Sequence, residues 1–476
     1  MRASARRRFY GLEEALPWAT AGVLGIQHVL ASFVGIVTPP LLVGAGLHLS
    51  LVDTAYLVSM SLFTSGVTTY IQVHRFGPVG SGMLSVTGPS FVFVPLAIQT
   101  GQAGGLPLVF GMALLGSVVP MLASHWLQLA RRIFPPLVTG TVVFLIGASL
   151  VQVGFAEMAG GFGAPDFGSP ANLGLGFLVA LTIVALHRVG GGYIRTISIA
   201  VGLLVGFLVA LAAGRVDLAP VASTSWFHAP VPLHFGLSIQ LEHLLPWLVG
   251  YTIVAVECIG DLTATSEASR EPVKGPLFLR RVRGGLLSDG LGCTFTSLFN
   301  ALPKTTFAQN NGIISFTGVA SRRVGVAAAL LLAMLGLFPK LAALISVIPR
   351  PVIGGATVLM FGMVAAAGLQ IAFSEGFTPR HQFIMAVSLA FGLGITMVPE
   401  AVQHLVPQEV PAAFRSLALS LRILLESGLV VGALVATLLN LAIPDEDEAD
   451  LSLHTRSAVE TVLTEVPSPE EVGAAN

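Results

Sequence analysis

Charge is what this chain has least of. Asp, Glu, Lys and Arg make up 10% of its 476 residues, where a soluble domain carries roughly a quarter. So few charges cannot cover a water-facing surface, and a soluble globular protein is excluded. The charges also nearly cancel, 24 basic against 25 acidic, which leaves no basic excess for a nucleic-acid partner. Cysteine is almost absent. Cys258 and Cys293 both lie in apolar segments, which reads as two buried thiols and not as a disulfide framework. No HExxH, CxxC or GxSxG string sits at a plausible depth, so neither a metal centre nor an intramembrane nucleophile has its residues.

What is abundant is apolar. Hydrophobic residues are 54% of the chain and the mean hydropathy is +0.83. Runs of about 17 to 25 residues, enough to cross a bilayer, recur throughout. We place spans near 16–40, 53–74, 78–100, 104–125, 134–154, 172–187 and 196–213. A second set falls near 243–265, 284–301, 305–320, 323–348, 351–373, 382–398 and 418–443. The start, MRASARRRF, resembles a signal n-region, but the apolar stretch behind it is too long for an h-region, so it reads as a retained first span. Starting inside and alternating, most of the 24 Lys and Arg fall on the cytoplasmic side, as the positive-inside rule expects. The exceptions are Arg215, Lys304, Lys340, Arg350, Arg415 and Arg422. Both termini are then cytoplasmic. The 53 glycines are spread through the spans, which suits close helix packing in lipid. The acidic tail 444–476 lacks a large apolar set and is expected to be disordered.

Seven spans per half give the two halves opposite topology, the inverted-repeat pattern of secondary transporters. The third and tenth spans are anomalous in corresponding places. SVTGPSFVFVP (85–95) and TTFAQNNGIIS (305–315) break midway at glycine, proline or amides. Each reads as a short extended stretch followed by a half-helix starting near Ser90 and Asn310. Such backbone is tolerated at membrane depth only where it is buried or lines a polar cavity, and the new helix starts aim N–H groups at that cavity. Gln309, Asn310 and Asn311 therefore mark a binding site.

Ionisable residues inside spans should face protein or water, because facing lipid costs a few kcal/mol each. His28, Glu257, Asp261 and Asp289 are such residues. Glu257 and Asp261 are four apart and share a helical face, an arrangement useful in a proton-coupled device. Other readings stand beside these. Glu257 would also serve as a hydrogen-bond partner of the neighbouring broken span, Asp261 and Asp289 as caps or orienting groups, His28 as a structural residue and Phe91 as ordinary core.

The run QNNGIISFTG (309–318) resembles the signature of the nucleobase–ascorbate transporter family, the second type of nucleobase–cation symporter. Gln309, Asn310, Gly312, Thr317 and Gly318 fill it. QHVLASFVGIVTPPLLVG, TAYLVSMSLFTSG, GPVGSGMLS, ECIGDLTAT, LPKTTFAQNNG, TGVASR and GLFPK follow in family order, so the resemblance covers nearly all of 10–443. It is nearest to the family's bacterial xanthine permeases, because Gln opens the signature where uracil-type members tend to place Glu.

The resemblance implies an all-α membrane fold of fourteen spans as 7+7 inverted repeats, with short extended stretches in spans 3 and 10. A core domain (16–125 and 243–348) would move like an elevator against a gate domain (134–213 and 351–443), in a homodimer, with residues 1–15 and the 444–476 tail cytoplasmic. It implies a proton-coupled symporter for xanthine, and also for urate, in a bacterial cytoplasmic membrane, with no cofactor beyond the coupling proton. Glu257 and Gln309 would bind the purine directly, Phe91 would stack on it, and Ser90 and Asn310 would line and shape the pocket. Asp289 would support proton coupling, with His28 and Asp261 as supporting polar residues. A uracil or pyrimidine permease and an anion exchanger of similar fold are the alternatives. Two departures bear on selectivity. Ser90 stands where close xanthine permeases often have Asn, leaving room for the extra oxygen of urate. Lys304 is a cation where the family is usually uncharged, expected at the outer mouth, where it would attract an anion.

Overall fold

The computed structural model describes residues 9–126, 135–161, 163–190, 192–374, 376, 378–402, 404–406, 411 and 415–443. The acidic tail lies outside the described residues, as do Arg2, Arg6, Arg7, Arg8, Arg131, Arg132 and Arg456 of the inside count. The first half contains α1 (Trp18–Gly46), α2 (Leu51–His74), strand β1 (Thr87–Pro89), α3 (Phe93–Gly116), α4 (Val118–His125), α5 (Pro136–Met158), α6 (Pro170–Val189), α7 (Gly192–Ala212) and the short α8 (Ala219–Ser223). The second half contains α9 (Leu244–Ala268), α10 (Pro276–Leu298), strand β2 (Lys304–Thr306), α11 (Gln309–Thr317), α12 (Arg322–Gly336), α13 (Pro339–Ser346), α14 (Arg350–Ala372), α15 (Pro379–Met397), α16 (Arg415–Glu426) and α17 (Gly428–Ala442).

Local chemistry sets these limits. Proline opens α5, α6, α10, α13 and α15, where its missing N–H is no loss and its φ is already helical. Ser50, Ser169 and Thr378 cap α2, α6 and α15 by accepting from the N–H three residues on.

Among the described residues, six helices are long and apolar enough to cross a membrane, or eight if two bent pairs each count as one span. Several of the expected spans outside that set are polar or interrupted, and one, Ile197–Ala212, is apolar but short. Helix α2 is studded with Ser and Thr, α10 carries Arg280, Arg281 and Arg283, and α11 is only 9 residues long. Two expected spans are not straight helices. The stretch 323–348 bends by 78° between α12 and α13, where Pro339 starts a new helix. The stretch 418–443 bends by 90° between α16 and α17, where Ser427 caps the second helix. Helix α3 also kinks, at Gly104 and Gly105, close to the expected boundary between spans 3 and 4.

Helix pairs close on small residues. Gly140, Gly147 and Gly154 of α5 recur every seven residues and meet Ala372, Ala365 and Val358 of α14, also seven apart and in reverse order. A seven-residue repeat keeps one seam facing its partner along the helix, and without a Cβ the two backbones touch. A methyl on Gly140 or Gly147 would run into the partner backbone.

The packing falls into two groups. Helices α1–α4 and α9–α13, with both strands, pack chiefly among themselves, and so do α5–α7 and α14–α17. Contact between the groups runs mainly through α1 and α9. Many pairs also recur when helices of the first half are exchanged for helices of the second. The pair α2–α12 is matched by α10–α4, α6–α7 by α15–α17, α6–α14 by α15–α5, and α1–α2 by α9–α10.

Candidate functional site

The two broken spans meet. Strands β1 and β2 pair antiparallel, with Thr87 opposite Thr306, Gly88 opposite Thr305 and Pro89 opposite Lys304. Just beyond the ladder, Phe307 N–H donates to the Val86 carbonyl at 2.9 Å and Ser90 N–H to the Pro303 carbonyl at 2.9 Å. Pairing satisfies the backbone groups that an extended segment would otherwise leave bare. Gly35 and Gly88 make room for the ring of Phe307; a Cβ on either would lie 2.9 Å or 2.5 Å from it.

Because the strands are antiparallel, α3 and α11 leave the ladder from opposite ends. Their first turns are tight: Phe93 N–H donates to Ser90 O, and Asn310 N–H to Phe307 O, at 3.3 Å each. The N–H groups of Phe91, Ala308 and Gln309 have no partner among the described residues, as expected of helix starts.

Helix α9 runs alongside and presents one carboxylate to each end. Ser90 Oγ donates to Glu257 Oε2 at 3.4 Å, and Thr306 Oγ1 to Asp261 Oδ2 at 3.3 Å. The neighbouring Thr305 points to the other face of the strand and donates to Asp289 Oδ2 of α10 at 3.2 Å. Asp261 and Asp289 are buried, whereas Glu257 is half-buried. Three acidic side chains thus converge on a six-residue ladder, each by a hydroxyl of the two broken spans.

The three amides part company. Gln309 is exposed, and its side chain has no partner among the described residues. Asn310 is buried, with Oδ1 2.7 Å from His28 Nδ1 and Nδ2 donating to Ser32 Oγ at 3.0 Å. With Oδ1 the acceptor, His28 carries its proton on Nδ1. Asn311 accepts from Thr265 Oγ1 at 2.7 Å. One amide is therefore free, one ties α11 to α1 and one ties it to α9. Phe91 is half-buried, edge-on to Phe361 of α14 at 5.1 Å between ring centroids.

Seven of the eight sequence-derived candidates (Ser90, Phe91, Glu257, Asp261, Asp289, Gln309 and Asn310) lie on the ladder, its flanking helix turns or the carboxylates bonded to it, and His28 is reached through Asn310. Lys304 is different. It is not at a mouth: it is 1% exposed, and its Nζ donates to Ser61 O at 2.9 Å and Ser65 Oγ at 2.7 Å on α2. Strand β2 carries it into the packed group, where it cannot attract a solute. Thr305, Thr306, Ser32 and Thr265 were missed by sequence reading. Thr305 and Thr306 stood beside the amides in the quoted run, and Ser32 lies one helical turn after His28.

A protein-family model described as "Permease family" matches residues 20–401. The chain belongs to the nucleobase–ascorbate transporter family. This permease is 41% identical over 452 residues to xanthine permease XanP of Escherichia coli K12, covering 92% of this chain and 95% of that one. It is 39% identical to XanQ of the same strain, covering 91% and 93%. It is 37% identical to the uric acid-xanthine permease of Emericella nidulans, covering 92% and 84%. Among solved structures, the transmembrane domain of the cyanobacterial bicarbonate transporter BicA matches with a TM-score of 0.56 at 14% identity, covering 82% of this chain and 98% of that one. The murine anion transporter Slc26a9, inward-facing, matches with a TM-score of 0.57 at 12% identity, covering 79% and 66%. At such identities these two show the fold alone. The permease is a multi-pass membrane transporter and not an enzyme.

Proposed function

We propose that the permease is a proton-coupled symporter that imports purine nucleobases, xanthine and also urate, across a bacterial cytoplasmic membrane. The observation that carries this reading is the antiparallel meeting of the two broken spans, with a half-buried carboxylate, Glu257, bonded to Ser90 before α3 and an exposed amide, Gln309, free at the start of α11. Xanthine presents ring N–H donors beside carbonyl acceptors. A carboxylate takes the N–H groups in charge-assisted bonds, and a glutamine amide matches a donor–acceptor edge with both its atoms. Phe91 supplies a ring face. Asp289, Asp261 and His28 hold or relay the coupling proton, and Asn310 keeps α11 seated on α1. The names of XanP, XanQ and the uric acid-xanthine permease support the substrate class.

The same reading gives fourteen spans as inverted repeats of seven, and the reciprocal helix pairs support it. The two packing groups correspond to a core (16–125 and 243–348) and a gate (134–213 and 351–443). The core carries the site past the gate, in a homodimer with both termini cytoplasmic. Uptake of labelled xanthine by cells expressing the chain tests the proposal, with a protonophore and with purine and pyrimidine competitors. Accumulation that the protonophore abolishes, competed by urate and not by uracil, is expected. Protonophore-insensitive uptake, or competition by uracil alone, would overturn it.

A further inference from the structure

A cavity of about 330 Å³ lies away from the ladder, where the last turn of α1 and the first turn of α2 face the end of α5 and the start of α14. None of the candidate residues above lines it. Leu41 and Leu42 of α1 and Ile348 and Ile353 near the start of α14 form apolar walls, and Glu157 and Arg350 supply charge. Its volume falls within the range of small-molecule pockets, about 300–1,000 Å³.

The charged pair is set loosely. Arg350 Nε stands 4.0 Å from Glu157 Oε2, where a direct charge-assisted bond closes to about 2.7–2.9 Å. Glu157 is 8% exposed, and its carboxylate accepts no hydrogen bond from the described residues. Facing the cavity, that carboxylate keeps its acceptor capacity for a molecule bound there. Gly161, at φ +93°, runs beside the arginine, and a Cβ there would meet Arg350 Nη1. Only glycine combines that backbone with that approach.

The cavity sets a carboxylate acceptor and a guanidinium donor side by side between apolar walls. We propose that this cavity is an outer entry subsite for an oxopurine. A ring N–H donates to Glu157, the adjacent carbonyl accepts from Arg350, and the ring faces pack on the aliphatic walls. The inference rests on the purine-import reading, under which these helix ends lie on the outer side. Substrate is taken there first and passed inward to the ladder.

Two measurements on the full-length permease decide it. In uptake, the double variant Glu157→Gln/Arg350→Gln keeps side-chain volume and removes both charges together. It should raise the KM for xanthine about tenfold, well beyond any fall in Vmax. Arg350→Lys, which keeps charge but loses the planar fork, should raise KM in the same direction. In equilibrium binding, purified Glu257→Gln protein should retain a weak site for labelled xanthine that disappears when the double substitution is added. An unchanged KM in both Arg350 variants, or residual binding that survives the triple substitution, would overturn the subsite. A wild type that takes up no purine would instead defeat the function proposed above.

Discussion

Moving a lysine ammonium out of water costs several kcal/mol unless its donors are matched, and Lys304 satisfies two of its three N–H bonds with Ser61 and Ser65. Its role is to hold β2 against α2. Met matches the lysine in length and removes the cost of burying a charge, so Lys304→Met should remain folded and lose less stability than a truncation. Lys304→Ala leaves an empty volume and should lose about 2–5 kcal/mol, as core truncations do. Thermal melting of the purified variants checks both, and urate competition should be no more salt-sensitive in either than in the wild type. Glu257 is the contrasting case. Loss of a charged hydrogen-bond partner costs about 1.5–3 kcal/mol, so Glu257→Gln should cut xanthine uptake at least about tenfold at unchanged membrane levels. Uptake within a few-fold of wild type, normalised to protein in the membrane, would reduce Glu257 to a partner of Ser90.

The glycine seam between α5 and α14 is the most demanding helix contact described here. Gly147 meets the backbone of Ala365 directly, and extra volume in a close-packed interface costs about 1–3 kcal/mol or more. Gly147→Leu should therefore lower the yield of folded protein, whereas Gly394→Leu, with open space around its Cβ position, should not. Fluorescence-detected size exclusion distinguishes them. Elements were legible in the sequence where one residue type broke a strong pattern. Proline, glycine and amides inside apolar runs gave both extended stretches and the starts of α3 and α11 to within about three residues. The bends at Pro339 and Ser427 were not read, because the predominantly apolar run on both sides of each continues through it at a length that fits one span. Lys304 was misplaced for a related reason: Ser61 and Ser65, which accept its bonds, lie on α2 and come beside it only through the tertiary fold.

Across the molecule, Asp289 is bonded to the ladder through Thr305 Oγ1; on the reading proposed above, substrate and coupling proton meet across that hydroxyl. Asp289→Asn removes a titratable group while keeping the shape. It should abolish accumulation of xanthine against a gradient and leave exchange of internal for external xanthine partly intact in proteoliposomes. Protonophore-sensitive accumulation by that variant would place the proton on another group. The sequence offered two bodies, a core and a gate, only through the family resemblance. The pairing of particular helices depends on glycines and methyl groups whose contacts no single sequence displays.

The crossed ladder has a consequence for synthesis. Thr87–Pro89 emerges from the ribosome long before Lys304–Thr306, and α3 to α10 are made in between. Until then β1 has only local help, such as Thr69 Oγ1, which accepts from Thr87 N–H at 3.0 Å. An unpaired backbone group in hydrocarbon costs several kcal/mol, so the nascent first half has to be sheltered, by water, by lipid headgroups or by insertion machinery. The final topology is then locked by a contact of very high sequence separation, which is slow to form. A chain truncated before Lys304 should be degraded as unfinished, and supplying the missing half as a separate polypeptide should rescue it.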